Sequence, residues 1–252
     1  MVDQAIPGSK PESLMVVENA GALYRAAVEE FCYCAQTAIA ARGRFCVALS
    51  GGSTPRGVYS LLAEEQKSVL PWNKIYIFFG DERHVPPDHP DSNYRMANEV
   101  LLSKVPLPAQ NIYRVRAELA ADTAAGQYEL QLRVFFRLPD NAWPCFDLIL
   151  LGLGEDGHTA SLFPASAALK EQSRLVVANW VEKFHSYRIT FTYPVLNHAA
   201  EVMFLASGAN KSLILRDIFD PAETKAYPAQ AVQPHDGRLL WIADRDAASL
   251  LL

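Results

Sequence analysis

One stretch, residues 146–164, constrains the fold more than any other part of the chain. It begins with the apolar run at residues 148–151 and then breaks into a turn with three glycines among residues 152–157. Such a run is typical of a strand buried on both faces, and glycines allow the backbone to turn sharply after it. In open α/β sheets, ligands bind at the carboxyl ends of the strands. Asp156 and His158, two residues apart on this turn, are therefore the first candidates for catalysis.

Composition narrows the class of protein. The chain has 252 residues, of which 50% are hydrophobic and 20% charged, with a formal net charge of −5. This charge argues against nucleic acid or an anionic membrane as the main partner, and no apolar run approaches the roughly 20 residues that span a bilayer. The first dozen residues lack the features of a secretion signal. Four cysteines without Cys-x-x-Cys spacing indicate thiols in a reducing cytoplasm rather than a zinc site. We therefore expect a cytoplasmic location and no bound metal.

Strand-like and helix-like segments alternate along most of the chain. Strands are predicted at residues 14–17, 45–49, 75–79, 148–151, 175–180, 188–192, 202–206 and 239–243. Helices are predicted after Asn19 as far as Gly43, after Pro55, and at residues 93–102, 121–137 and 210–219. This alternation predicts an α/β fold with a single-domain, doubly wound, mostly parallel sheet and helices on both faces. Residues 1–12 are expected to be a loose lead-in and residues 13–252 one domain.

Loops that follow parallel strands emerge at the same edge of the sheet, and four of them carry polar groups suited to a ligand. The first loop consists of Ser50, Gly51, Gly52, Ser53 and Thr54. Glycines between hydroxyl residues, just before a helix, can form a nest of backbone N–H groups that binds phosphate. The loop is neither a Walker A motif nor Gly-x-Gly-x-x-Gly. A tight turn with a Ser or Thr helix cap is an equal alternative.

Charged residues follow two other predicted strands. Asp81 can order water or sugar hydroxyls and Arg83 can hold an anion, although a solvated loop is the alternative and Glu82 receives no role. Lys211 falls in the first turn of a predicted helix, where the macrodipole disfavours a cation unless an anion is bound. An exposed lysine without a ligand is equally compatible with that position.

The carboxylate beside His158 favours a catalytic role for this histidine over a structural one. A carboxylate two residues away can orient or polarise the imidazole. The sequence has no metal-binding cluster and no Gly-x-Ser-x-Gly motif of a serine hydrolase. Together the four loops predict general acid–base chemistry on a small phosphorylated compound.

The loops resemble those of the 6-phosphogluconolactonase family. The resemblance is carried by Ser-Gly-Gly-Ser-Thr-Pro at 50–55, Gly-Asp-Glu-Arg-His-Val at 80–85, Asp-Ser-Asn-Tyr at 91–94, Gly-Leu-Gly-Glu-Asp-Gly-His-Thr-Ala-Ser-Leu-Phe-Pro at 152–164 and Arg-Ile-Thr at 188–190. It implies hydrolysis of 6-phospho-D-glucono-1,5-lactone to 6-phosphogluconate in the oxidative pentose phosphate pathway, without a metal or organic cofactor.

The same resemblance implies roles for individual residues. His158 would be the base that activates water and Asp156 its partner. Asp81, whose position at a strand end suits a carboxylate that orders water or sugar hydroxyls, is counted with them as a catalytic candidate. Substrate-binding groups are expected at residues 50–54 and at Arg83, Arg188 and Lys211. The expected partner is a small sugar-phosphate lactone, and the chain is expected to be a monomer or a weak homo-oligomer.

Two other functions are weighed against the lactonase. Glucosamine-6-phosphate deaminases of the wider group have a glutamate one residue before the proline of this motif, where this chain has Phe163. An apolar ring cannot carry a proton, so an isomerase or deaminase is disfavoured. The second alternative is a non-catalytic sugar-phosphate sensor, which would have no need of an Asp156–His158 pair.

Overall fold

The apolar segments of the sequence form the strands of a central parallel sheet. The structure is a computed structural model that describes residues 12–220 and 226–252. Its strands are β1 (Glu12–Val17), β2 (Phe45–Leu49), β3 (Ile75–Phe79), β4 (Asp81–Arg83), β5 (Leu148–Gly152), β6 (Val176–Val181), β7 (Ser186–Phe191), β8 (Glu201–Ala206) and β9 (Arg238–Asp244). Six of them pair in parallel in the order β1-β9-β8-β5-β2-β3. The predicted parallel sheet is confirmed.

Helices connect most of these strands. They are α1 (Ala20–Arg42), α2 (Ser53–Glu65), α3 (Asn93–Ala97), α4 (Ala121–Phe136), α5 (Tyr193–Asn197) and α6 (Ser212–Phe219). As predicted, α1 begins where the Asn19 side chain accepts a hydrogen bond from the amide of Ala22 at 3.0 Å, and ends at Gly43, whose φ of 73° is left-handed. The helix predicted at 93–102 is α3 followed directly by a π-helical segment, Asn98–Leu102.

Both faces of the parallel sheet are covered, as the doubly wound prediction requires. Val47 and Leu49 of β2 pack in a core that includes buried residues of α1 and α2. The alternate residues Cys46 and Ala48 pack in a second core with residues of α4 and α6. Because successive side chains of a strand point to opposite faces, one apolar strand supplies both cores.

A second, antiparallel sheet was not anticipated from the sequence. It has the order β4-β7-β6. The connection between β6 and β7, Glu182–Phe184 followed by His185, is too short for the crossover that parallel strands require, so the two strands form a hairpin. Asp81–Arg83, predicted to be a loop, is instead the three-residue strand β4. The prediction of a loop at this position is therefore wrong.

Two segments lie outside the described residues: 1–11 and 221–225. The predicted lead-in falls almost wholly in the first of them, and Glu12 already belongs to β1. Among the helices that the structure describes, none is both long enough and apolar enough to cross a membrane.

Candidate active site

The four polar segments come together because the strands before them are neighbours in the sheet, in the order β8-β5-β2-β3. A Cβ atom built on Gly152 would lie 4.0 Å from the carbonyl oxygen of Gly51, so the turn after β5 touches the loop after β2. On the other side of that turn, Asn210 Nδ2 donates to Oε1 of Glu155 at 2.7 Å and joins the loop after β8 to it. The carboxyl edge of the parallel sheet therefore forms one continuous polar surface.

The turn after β5, residues 152–159, is closed by its own hydrogen bonds. The amide of Gly154 donates to the carbonyl of His158 at 2.9 Å, and the amide of Gly157, whose φ is 76°, donates to the carbonyl of Gly154 at 3.0 Å. A Cβ atom on Gly154 would lie 2.0 Å from Nδ1 of His158. We call residues 152–159 the catalytic turn. Glycine at position 154 leaves the space that the imidazole occupies.

Asp156 and His158 form a hydrogen-bonded pair on the catalytic turn. Oδ1 of Asp156 lies 2.5 Å from Nδ1 of His158 and 3.3 Å from its amide nitrogen. Oδ2 accepts a hydrogen bond from Lys183 Nζ at 3.3 Å. Burial acts to raise the pKa of Asp156, but the hydrogen bonds and charge of His158, with the charge of Lys183, lower it overall. Asp156 is therefore a carboxylate near neutral pH, facing an imidazole whose side chain is 26% exposed and accessible to water.

Phe163 supports the imidazole from one side. Its ring stacks on that of His158, with 4.0 Å between ring centroids and 23° between ring planes. Phe163 itself is buried. Apolar packing against one face of the imidazole, with a carboxylate at Nδ1, leaves Nε2 as the nitrogen that can act on a ligand.

Asp81 links three parts of the site. It is buried, and its carboxylate accepts hydrogen bonds from Ser161 Oγ at 2.6 Å and from Asn93 Nδ2 at 3.3 Å. Ser161 lies three residues after His158. A Cβ atom on Gly51 would lie 1.9 Å from Oδ1 of Asn93, so Asn93 also touches the loop after β2. Asp81 therefore ties β4 to the residues just after the catalytic turn and, through Asn93, to the start of α3 beside this loop.

Glu82, which the sequence analysis left without a role, anchors the start of α3. One of its oxygens accepts from the amides of Arg83 at 2.8 Å and Asn93 at 2.7 Å, and the other from the Tyr94 amide at 2.8 Å and Ser92 Oγ at 3.1 Å. Burial raises the pKa of Glu82, and the backbone amides act against this shift. In the sequence, Ser92 could be recognised as a residue that caps a helix. Its spacing from Glu82 matches no standard capping motif, so the sequence did not link the two residues.

Arg83 and Arg188 are directly opposite each other on β4 and β7. Arg83 Nη1 donates to the carbonyl of Asp91 at 2.8 Å, and the Arg188 guanidinium lies 5.1 Å from the ring centroid of Phe184. Burial, together with the charge of Arg83, lowers the pKa of Arg188. The charges of Asp81, Asp91 and Glu82 act against this shift. The guanidinium groups have a geometry suited to a negatively charged ligand.

The loop after β2 has the features expected of an anion cradle. Helix α2 begins at Ser53 with Gly52 as its N-cap, at a φ of 110° and with no side-chain hydrogen bond to the first turn. The buried Ser50 Oγ has no hydrogen-bond partner in the part of the chain that the structure describes. Lys211 directly precedes α6 and is partly exposed. Phosphate binding at Ser50, Gly51, Gly52, Ser53, Thr54 and Lys211 stays a prediction.

Glu30, Cys34 and Glu201 are a group whose ligand atoms lie close enough together to hold a metal ion. It lies at the opposite edge of the sheet from the catalytic turn, because Glu201 is the first residue of β8. Arg238 bonds to Glu30 at 2.7 Å and to Glu201 at 3.2 Å. The Arg238 guanidinium already occupies an oxygen of each carboxylate, and burial raises the pKa of Glu201 so that it binds a proton more readily, so this group does not fit a metal site.

Comparisons of sequence and of structure with known proteins all indicate the same family. The sequence profile of the family described as Glucosamine-6-phosphate isomerases/6-phosphogluconolactonase matches residues 18–241. A 6-phosphogluconolactonase of Nostoc sp. is 46% identical over 217 residues, which cover 85% of this chain and 88% of that relative. The 6-phosphogluconolactonase of Homo sapiens is 39% identical over 221 residues, covering 84% and 82%. The solved structure of 6-phosphogluconolactonase from Trypanosoma cruzi has a TM-score of 0.88 at 30% identity, covering 96% of this chain and 97% of that one.

Proposed function

Because the chain belongs to the glucosamine-6-phosphate isomerase/6-phosphogluconolactonase family, we propose that it hydrolyses 6-phospho-D-glucono-1,5-lactone to 6-phospho-D-gluconate. The observation that carries the mechanism is the Asp156–His158 pair, 2.5 Å apart on the catalytic turn. We propose that residues 13–252 act as one catalytic domain, since the loops that would bind substrate come from both halves of the chain.

His158 is proposed as the general base. With Nδ1–H donated to Asp156, Nε2 accepts a proton from water while the water oxygen attacks the lactone carbonyl carbon. The bond from this carbon to the ring oxygen then breaks, and the imidazolium returns its proton to that oxygen. The new carboxylic acid ionises and releases one proton to solvent. A positioned base of this kind contributes roughly 10²–10⁴-fold to the rate.

Positive groups around the catalytic turn are proposed to bind the rest of the substrate. The phosphate would lie at the N-terminus of α2 with Lys211, where backbone amides and the helix dipole favour an anion. Arg83 and Arg188, which lie opposite each other on β4 and β7, can meet either the phosphate or the charge that develops on the carbonyl oxygen. Asp81, two residues before Arg83, holds Ser161 and Asn93 by hydrogen bonds.

Phe163 distinguishes this proposal from a deaminase. Where a glutamate would assist opening of a sugar ring, this chain has an apolar ring stacked on the imidazole. Stacking supports the base sterically but transfers no proton. A lactone needs no separate group at this position, because its ring opens when the tetrahedral intermediate collapses.

We propose a cytoplasmic location for this protein. Cys32, Cys34, Cys46 and Cys145 are free thiols, which suits a reducing cytoplasm. A monomer or weak homo-oligomer is proposed, and sedimentation of the purified chain tests it.

The activity is tested by an assay of acid release. A glucose-6-phosphate dehydrogenase makes the lactone in situ, and acid release is followed with and without the protein. The unsubstituted chain should speed acid release beyond the spontaneous rate, and His158→Asn should abolish most of the gain while product affinity stays nearly unchanged. His185→Asn is the matched control, because this histidine is 79% exposed and asparagine tolerates its left-handed φ of 45°. Full activity of His158→Asn would refute the assigned base. Ammonia release from glucosamine 6-phosphate would indicate the deaminase instead, and binding without turnover would indicate a sensor.

A further inference from the structure

The turn that joins β6 and β7 reaches across to the catalytic turn. It consists of the 3₁₀ segment Glu182–Phe184 and His185, whose amide donates to the carbonyl of Glu182 at 3.1 Å. Lys183 Nζ lies 3.3 Å from Oδ2 of Asp156. The next residue, Phe184, packs edge-on against Phe163, with 5.8 Å between ring centroids. Two consecutive residues of the hairpin therefore contact the two side chains that hold the His158 imidazole.

The two oxygens of Asp156 have different partners. Oδ1 is used by Nδ1 and the amide of His158, and Oδ2 by Lys183. A carboxylate turns readily about its last bond, so a cation fixed on Oδ2 keeps Oδ1 pointed at the imidazole. The same cation balances the negative charge that would otherwise stabilise a protonated imidazole.

Other charged groups near the pair are engaged elsewhere. Glu155 of the catalytic turn accepts from Asn210, and Glu182 of the hairpin accepts from Trp180 Nε1. The Arg188 guanidinium lies over Phe184. Two further charged groups belong to neighbouring segments: Asp81 on β4 is hydrogen-bonded to Ser161 and Asn93, and Lys211 directly precedes α6. Lys183 is therefore the cation in direct contact with Asp156 among the described residues.

We propose that Lys183 is a positioning residue, which holds Asp156 so that His158 keeps its proton on Nδ1 and leaves Nε2 free to accept one from water. This inference rests on the proposed function for its catalytic consequence. The contact between Lys183 and Asp156 links the β6–β7 hairpin to the catalytic turn whatever reaction the protein catalyses.

The kinetic test compares Lys183→Met with Lys183→Arg over a pH series at low ionic strength. Because an exposed ion pair has a modest energy, the acid limb of kcat/KM should move up by about 0.3–0.7 pH unit in Lys183→Met. Plateau kcat should fall by roughly 3- to 10-fold as the imidazole loses its fixed orientation. Lys183→Arg keeps the positive charge, so its acid limb of kcat/KM and its plateau kcat should stay close to those of the unsubstituted protein. Lys170→Met makes the same chemical change at an exposed position without this contact and should leave the profile unchanged.

A measurement that does not depend on turnover separates the two proposals. In ¹H–¹⁵N spectra of the imidazole, the unsubstituted protein should show His158 as the Nδ1–H tautomer. Lys183→Met should show a mixture that titrates at higher pH. An unchanged tautomer and pH profile in Lys183→Met would overturn the inference. If the unsubstituted chain has no lactonase activity and the spectra still differ between it and Lys183→Met, the proposed function is refuted and the positioning role is supported.

Discussion

The Gly154→Ala substitution tests whether catalysis depends on the fit between the catalytic turn and the imidazole. The added Cβ would lie 2.0 Å from His158 Nδ1 and 2.7 Å from Asp156 Oδ1, whereas ordinary contact begins at 3.4 Å. The imidazole must therefore retreat by about 1.4 Å (3.4 − 2.0). Because misplacement of a catalytic group by about 1 Å costs on the order of 10²-fold, kcat should fall by at least that factor.

The fold itself should tolerate this change. Gly154 has no positive φ, and the His158 side chain is 26% exposed, so it can swing outward. The free energy of unfolding in urea should therefore change by less than about 1 kcal/mol, within the range of substitutions that avoid the core. Gly126→Ala is the control: it lies inside α4, where a Cβ would meet nothing within 4 Å. It should keep full activity and gain about 0.5–1 kcal/mol. Normal kcat in Gly154→Ala would refute the steric reasoning.

Three further predictions concern other parts of the molecule. Glu82→Gln should lower the free energy of unfolding in urea by about 2–3 kcal/mol, because its amide NH₂ would face two donors, the Tyr94 amide and Ser92 Oγ; an unchanged midpoint would contradict the anchoring role. Burial raises the pKa of Glu201 from 4.5 to about 7, so its contribution to stability is full below pH 4.5 and is lost as pH rises through 7; calorimetry should show a decline of about 1–3 kcal/mol, which Glu201→Gln removes. Lys211→Ala should raise KM far more than it lowers kcat, and a loss confined to kcat would argue against a ground-state phosphate contact.

Local sequence signals predicted the scaffold of the site well. The apolar run before the catalytic turn specified β5, and Asn19 and Gly43 specified the ends of α1. These features depend on residues close together in the sequence, where burial pattern and capping chemistry decide the structure. Because loops after parallel strands emerge at the same edge, the sequence predicted that the four polar segments share it. Their direct contact depends on the strand order β8-β5-β2-β3, which the sequence did not predict.

Contacts between distant residues could not be predicted in this way. β4 exists because Asp81–Arg83 pairs with β7, about a hundred residues later. Glu82 was indistinguishable from its charged neighbours until its partners Ser92, Asn93 and Tyr94 were seen around it. Lys183 had no signal at all, because its meaning depends on where the hairpin folds relative to Asp156.

The pairing of β1 with β9 has a consequence for how the protein is made. Among the described strands, β1 hydrogen-bonds to β9 alone, and the register joins Ser13 to Leu240 and Val17 to Asp244. During synthesis, β1 must therefore wait for β9 to be made before the two can pair. A contact this far apart in sequence forms slowly, and the unpaired strand edge is open to wrong partners in the meantime. A chaperone that covers this edge until β9 is available should thus raise the yield of native protein.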